Sequence, residues 1–438
     1  MLGYLRRLTI RNLVSPYGLA LFSYAVFLFA WTFPPGLYTN IMQEPDYMFL
    51  DPMCLIFCTV CLGAFLFGVK ISYFSLNSDS TNRNNQSTTQ LGTAALVIPL
   101  VTFTIIAIIS IGVIGINTGN LALLLIQRGD VIKEGNPKFP LLGNLLLLGP
   151  VHMGILWWFT YRLRQNQLYK VGKGWMNALL CFSTVLAIGV TIAQVDRTSL
   201  MPIIVGLLPV LIFTNPRILR GELLPVLRYV AVGIIGVMGL FFLLSLLRGS
   251  FLVATGEKML LGYSISSYNR LATVLNGTLV YSNTDNIQDL CRFCSYNPYL
   301  NKFIPYASYF NIPPKTMAWM ADFASTRSAG LAGAYTFASA FAFVFRDIGW
   351  WTPLYFAGQG YFVGWAWRSF QKGRIFGLML YPWCAFTVLF WVAWNVFLND
   401  AFFYLCGAAL LMWFYESYFG RNDSNYICKE YPAMGQEN

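Results

Sequence analysis

The feature that most constrains this chain is a series of uninterrupted apolar runs, several of them close to about 20 residues long. A helix of that length rises about 30 Å, the thickness of the hydrocarbon layer of a bilayer. Spans are predicted near residues 17–33, 50–69, 92–115, 140–161, 175–195, 198–214, 229–247, 352–367, 375–397 and 401–419. Hydrophobic residues make up 57% of the chain and charged residues only 11%, against about 25% charged in an ordinary soluble domain. A water-soluble fold has no means of hiding so much apolar surface. The expected fold class is therefore all-α, a polytopic helical membrane protein with about 10–12 transmembrane helices.

Orientation follows from the short connections. Counted through the spans, Arg6, Arg7 and Arg11, then Lys70 and Arg83, then Arg162, Arg164, Lys170 and Lys173, then Arg217, Arg220 and Arg228, and last Arg368, Lys372 and Arg374 all fall on one side. Basic loops mark the cytoplasmic side, so both termini are expected there. The formal net charge of +11 is read the same way, and no nucleic acid partner is expected. The first apolar run, Tyr17 to Phe33, follows three arginines as a secretory signal would, but no small-residue cleavage site comes after it. It reads as a retained span.

The expected organisation is residues 1–247 as N-terminal transmembrane helices, 248–330 as an extracytoplasmic loop or cap, 331–420 as a re-entrant segment and C-terminal transmembrane helices, and 421–438 as a cytoplasmic tail. Residues 331–347 are apolar but short. Reading them as a full span would carry Arg368, Lys372 and Arg374 to the outer face, so a re-entrant or half-buried helix is expected instead. Trp157 and Trp158, and likewise Trp350 and Trp351, sit at the ends of predicted spans, where aromatic rings anchor at the interface.

The 248–330 segment far exceeds an ordinary connection, and its recurring tyrosines and phenylalanines carry too much apolar surface for a disordered loop. Helices are expected over 257–280 and 314–326. An ordered cap of rings, amides and hydroxyls suits carbohydrate, and equally suits plain packing.

Chemistry is sought where ionisable groups stay close to the membrane, since each is costly there without a partner or a cavity. Arg197 opens a span in QVDRTSL, Arg248 closes one in SLLRGSF, and Arg270 lies in SISSYNRLATVLNG beside Tyr268 and Asn269. All three arginines are expected on the outer face. There they either hold phosphate in bidentate fashion or reach to headgroups and neighbours such as Asp196. Outer carboxylates are Asp196, Glu257, Asp322 and Asp347; Asp347, in FRDIGWW, is either a site residue or half of a surface pair with Arg346.

Signatures of soluble enzymes are missing: there is no G-x-x-x-x-G-K-[ST] loop and no H-E-x-x-H, and the single histidine, His152, lies in an apolar span where helix packing is its usual role. Of nine cysteines, only Cys291 and Cys294 form a C-x-x-C pair, which suits a disulfide or redox role and gives little reason to expect zinc. No metal or other cofactor is expected.

Taken together, the arginine opening a span in DRTSLMPIIVGLLPVLIF, the Arg-Gly at the start of a large outer loop, and the later aromatic VFRDIGWW resemble the bacterial O-antigen polymerase, or oligosaccharide repeat unit polymerase (Wzy), family. The resemblance covers mainly residues 194–368 and lies more in topology than in sequence. It implies a GT-C-like glycosyltransferase in the bacterial inner membrane. Such an enzyme joins undecaprenyl-pyrophosphate-linked glycan donor and acceptor at the periplasmic face, with membrane lipids and a chain-length regulator protein as partners. It further implies substrate binding by Arg197, Arg248, Arg270, Tyr268 and Asn269, and catalysis by Asp347 or Glu257. The histidine that related ligases place near the periplasmic interface has no counterpart in this arrangement. An O-antigen ligase and a transporter or flippase of lipid-linked oligosaccharide are the alternatives. Transport calls for charges through the depth of several spans, whereas here the arginines gather at one face.

Overall fold

The computed structural model describes residues 10–75, 91–118, 144–165, 173–193, 197–219, 224–247, 256–281, 287–333 and 335–430. Among them there is no β-strand, and the order of the longer helices is α1 (Pro16–Trp31), α2 (Pro35–Met42), α3 (Pro52–Ser75), α4 (Thr93–Thr118), α5 (Gly149–Gln165), α6 (Lys173–Ala193), α7 (Arg197–Thr214) and α8 (Leu224–Leu247). Then come α9 (Gly256–Gly262), α10 (Ile265–Leu275), α11 (Lys315–Ser328), α12 (Ser339–Ile348), α13 (Thr352–Gln371), α14 (Ile375–Leu389) and α15 (Asp400–Glu430). Each predicted span coincides with one of these helices. Four stretches are long and apolar enough to cross a membrane by themselves: Pro52–Phe74, Thr93–Val113, Gly174–Ile192 and Ile375–Val392. The α1–α2 pair, bent by 87° at a short break, makes a fifth if it counts as one span.

The chain is thus a helical membrane protein, and the 10–12 spans expected are matched by four or five helices of sufficient length and composition among the described residues. The others fall short for local reasons. Helix α5 begins only at Gly149 and has 17 residues, and α13 carries Gln359, Arg368 and Gln371. The bilayer-compatible helices turn bulky apolar groups outward, as in Ile56, Val60 and Phe67 of α3 and Ile105 and Ile108 of α4. In water such groups would be costly, and in lipid they face their natural solvent.

Two compact units make up the chain. The first comprises residues 1–75, 250–367 and 384–403; the second comprises 76–249, 368–383 and 404–438. In the second, α5 packs on α4, α6 and α7, while α7 also packs on α8. Trp157 and Trp158 lie fully buried there, not at an interface. Gly206 of α7 leaves room for the Trp157 ring, and Trp158 donates from Nε1 to Glu416 at 2.6 Å. Arg162, one turn further on, closes on the same carboxylate through Nε and Nη2 at 2.9 Å each. A charge near the end of a helix therefore captures rings that composition alone assigns to an interface. His152 behaves as a packing residue, its Nε2 lying 2.8 Å from Ser183 Oγ, which also accepts from Thr104.

In the first unit, α3 and α13 meet backbone to backbone. A Cβ added at Gly68 would overlap the Ala357 carbonyl, one at Gly360 the Phe65 carbonyl, and one at Gly364 the Ser72 hydroxyl. Gly360 and Gly364 form a G-x-x-x-G pair, the spacing that lets membrane helices approach closely without a hydrophobic driving force between them. Helix α10 packs against α1, α3 and α12, which brings the 248–330 segment onto the ends of the apolar helices. Helix α12 has ten residues and is too short to span; eight of them are buried, and Gly349 ends it at φ 55°, a left-handed turn that glycine makes without strain. The seam predicts a sharp contrast within one helix. Gly360→Ala should destabilise the protein by about 1–3 kcal/mol, the usual cost of overpacking. Gly358→Ala, which meets nothing within 4 Å, should be neutral or slightly stabilising. Thermal unfolding of both variants in detergent checks this.

Candidate functional site

Two buried charge clusters organise the first unit. The inner one is built on Glu44, in the connection after α2, and Arg270 of α10, both with fully enclosed side chains. Arg270 donates Nη1 to Oε1 and Nη2 to Oε2 of Glu44, each at 3.1 Å, the two-pronged geometry that only guanidinium offers a carboxylate. It also donates to the carbonyls of Ser266 at 2.9 Å and Ala332 at 3.0 Å and to the Ser266 hydroxyl, while its Nε has no partner among the described residues. Glu44 in turn accepts from the Tyr38 hydroxyl and, at 2.6 Å, from the Ala332 N–H. Asn269 completes the knot by donating to Pro45 O at 2.9 Å and Tyr38 Oη at 3.2 Å and by accepting from Tyr47 N–H at 2.7 Å. Three distant stretches, 38–47, 266–270 and 332, are held by one ion pair.

The outer cluster gathers around Arg346 in the last turn of α12. Its Nη1 donates to Asp322 of α11 at 2.8 Å and its Nη2 to Asp289. Asp289 also accepts from Arg292 at 2.7 Å. Asp347 turns the other way and accepts the backbone N–H groups of Asp289 at 2.6 Å and Leu290 at 2.8 Å through Oδ2. Asn395 donates to the Asp289 carbonyl at 3.0 Å. Rings enclose the guanidinium groups: Arg346 lies 4.8 Å from the Tyr281 ring centre, and Arg292 lies 4.2 Å from that of Trp394. Cys291 and Cys294 are joined as a disulfide, closing the turn that carries Arg292.

This cluster has more slack than the inner one, where Arg270 Nε, Ser267 Oγ and Tyr268 Oη are also buried without a partner among the described residues. Asp347 Oδ1, Tyr281 Oη, Arg346 Nε, Gln288 Nε2 and Trp394 Nε1 are buried with no hydrogen-bond partner among the described residues. Buried polar atoms are nearly always satisfied, so a group of five marks a place suited to a polar ligand. Arg292, with 18% of its side chain exposed, is the cation of the cluster nearest to solvent. Burial raises the Asp347 carboxyl, with the Asp289 charge adding to it, up to about 7; Arg346 and the two N–H bonds pull the other way. Burial likewise raises Asp322, against the pull of Arg346. Both carboxyls belong to short helices outside the spans.

Of the residues expected at a site, Asp347 lies in this outer cluster. Arg270 and Asn269 form the inner knot, where both are wholly buried, and Tyr268 lies beside them against Phe27, with ring centres 5.2 Å apart. In this conformation Arg270 turns its Nη groups to Glu44, Ser266 and Ala332. Glu257 is exposed in the first turn of α9, apart from both clusters. Arg197 begins α7, with its side chain outside the described residues, and Arg248 and Asp196 also lie outside them. Sequence reasoning passed over Asp289, Arg292, Arg346 and Glu44 as site residues. The readable signal was the acid-free stretch after Asp289: the next acidic residue is Asp322, its partner across Arg346. Among the described residues no group of histidine, cysteine and carboxylate side chains is arranged to hold a metal ion.

No protein-family model matches the chain, and neither the curated proteins nor the solved structures provide a match.

The inner knot carries a prediction about stability. Glu44→Gln keeps the shape but strands a buried guanidinium, and removing one partner of such a pair costs about 3–5 kcal/mol. The unfolding temperature of the full chain in detergent should fall accordingly, whereas an unchanged temperature would show that Glu44 does not neutralise Arg270.

Proposed function

We propose that this protein is a membrane glycosyltransferase that polymerises undecaprenyl-pyrophosphate-linked oligosaccharide repeat units at the periplasmic face of a bacterial inner membrane, building O-antigen or a related surface polysaccharide. The observation that carries the reading is the outer cluster: a carboxyl whose pKa is raised to about 7, a cation with part of its side chain exposed and several unpaired buried donors, all walled by aromatic rings in a cap beside the ends of apolar helices. Sugars bind in such surroundings, with rings against their apolar faces and fixed polar groups at their hydroxyls. The Cys291–Cys294 bond suits an oxidising compartment such as the periplasm.

In this reading Asp347 takes the proton of the acceptor hydroxyl as that oxygen bonds the anomeric carbon of the donor sugar, and the bond to the pyrophosphate oxygen breaks. Pyrophosphate leaves with its electron pair and needs charge neutralisation more than an acid. Arg292, the most exposed cation of the cluster, is the described candidate for it, and Arg197 and Arg248 keep that role on the strength of the sequence. The guanidinium of Arg270 positions the cap through Glu44. A GT-C-like architecture and a chain-length regulator as partner belong to the same proposal.

The test incubates purified protein with lipid-linked repeat units and follows the ladder of products. Asp347→Asn should slow polymerisation by about 100-fold or more, the contribution of a positioned base. A base works when ionised, so a raised carboxyl moves the acid limb upward: the wild-type rate should climb with pH through about 7 and level off above it. A ladder at full rate from the Asn variant would remove Asp347 from the mechanism. Absence of any ladder from well-folded protein would point to transport of the lipid-linked glycan.

A further inference from the structure

The cap leaves several large apolar side chains bare. Phe303, Tyr309 and Met320 are 86%, 80% and 70% exposed, and Ile304, Met317 and Trp319 are each more than half exposed. Scattered apolar groups are normal on a protein surface, but so many in one short stretch of chain mark a surface with a partner. Helix α11 shows how the stretch is sorted. Ala318, Asp322 and Thr326 form its buried stripe, while its outward side is apolar in the first turns, at Met317, Trp319 and Met320, and polar in the last, at Arg327 and Ser328.

The ion pair fixes where that apolar end sits. Asp322 is bonded to Arg346, and the turn after Arg346 carries Trp350, whose ring packs edge-on against Phe57, 5.9 Å between centres. Phe57 belongs to the first turns of α3, a helix able to cross a membrane, whose exposed groups in that region include Met53 and Ile56. Trp350 and Trp351 are themselves 61% and 72% exposed, as interfacial anchors are. Met320 and Met317 lie about 3 and 8 Å along the helix axis from Asp322, so the apolar turn stays within two helical turns of the residue that ties α11 to α12. Charge agrees: between Leu290 and Ala321 the chain carries Arg292, Lys302 and Lys315 and no acidic residue; Lys302 is exposed, and Lys315, also exposed, acts on Asp400 as well.

We propose that Phe303, Ile304, Tyr309 and the first turns of α11 form an interfacial foot that inserts into the headgroup region beside α3, with anionic phospholipid as its partner. Aromatic and methionine side chains enter the boundary of the acyl chains, and the lysines meet the phosphates. This holds whether or not the protein is a polymerase, because it rests on the cap's surface and not on the outer cluster.

The experiment uses the full chain with the photocrosslinker p-benzoylphenylalanine placed at Phe303 or at Trp319, both exposed positions where a bulky ring is already present. The protein is reconstituted into nanodiscs of phosphatidylglycerol or of phosphatidylcholine and irradiated, and adducts are identified by mass spectrometry. Ile56, bare on α3, is the lipid-facing reference, and Ser328, in the polar last turn of α11, the water-facing one. Positions 303 and 319 should give lipid adducts about fivefold above Ser328, with phosphatidylglycerol favoured over phosphatidylcholine. Adduct yields no higher than at Ser328, or crosslinks mainly to a second copy of the chain, would overturn the foot. Equal yields in the two lipids would overturn the anionic partner.

Discussion

The first unit depends on the Glu44–Arg270 pair. Neither charge reaches solvent, so each is tolerated only because the other faces it in two-pronged register and because Tyr38, Ser266 and Ala332 take up what remains. An isolated charge in that position would cost far more than any single hydrophobic contact could offset. The pair therefore specifies geometry more than it adds stability. It requires the 38–47 connection, helix α10 and the backbone at residue 332 to arrive together. Helix α12 then starts from a fixed point and ends with Arg346 and Asp347 in place.

The two clusters are neighbours with opposite character. Tyr281 lies between them and feels charges from both, since Arg346, Asp322, Arg270 and Asp289 all act on its hydroxyl, which burial pushes well above its ordinary range. The inner cluster closes on its ion pair but leaves Arg270 Nε, Ser267 Oγ and Tyr268 Oη without partners among the described residues. The outer one has two guanidinium groups, three carboxyls and unpaired donors, and one carboxyl near neutrality.

The helices were legible because lipid solvation writes a long, coarse signal: each apolar run in the sequence coincides with a helix. Which of them have the length to cross was less legible, because helix ends depend on local breaks such as the one before α5 and the sharp bend between α1 and α2. The short α12 was readable from its length and from the arginines that follow it. The charge partners were not. Arg270 and Glu44 stand 226 positions apart, and Arg162 and Glu416 254, so no local pattern joins them. The same blindness displaced Trp157 and Trp158 from interface to core, because the carboxylate that holds Trp158 comes from the far end of the chain. Asp347 stood out through its setting among glycine and aromatic residues, yet the arginine beside it proved the organiser of the cluster.

The glycine seam between α3 and α13 bears on permeability. Where Gly68 and Gly360 let two backbones touch, no acyl chain and no file of water molecules can pass between the helices. Any protein embedded in an energised membrane must avoid short-circuiting the ion gradients across it. Direct backbone contact closes that leak with the smallest residues available, and its tightness owes nothing to side-chain rotamers that thermal motion could swing open.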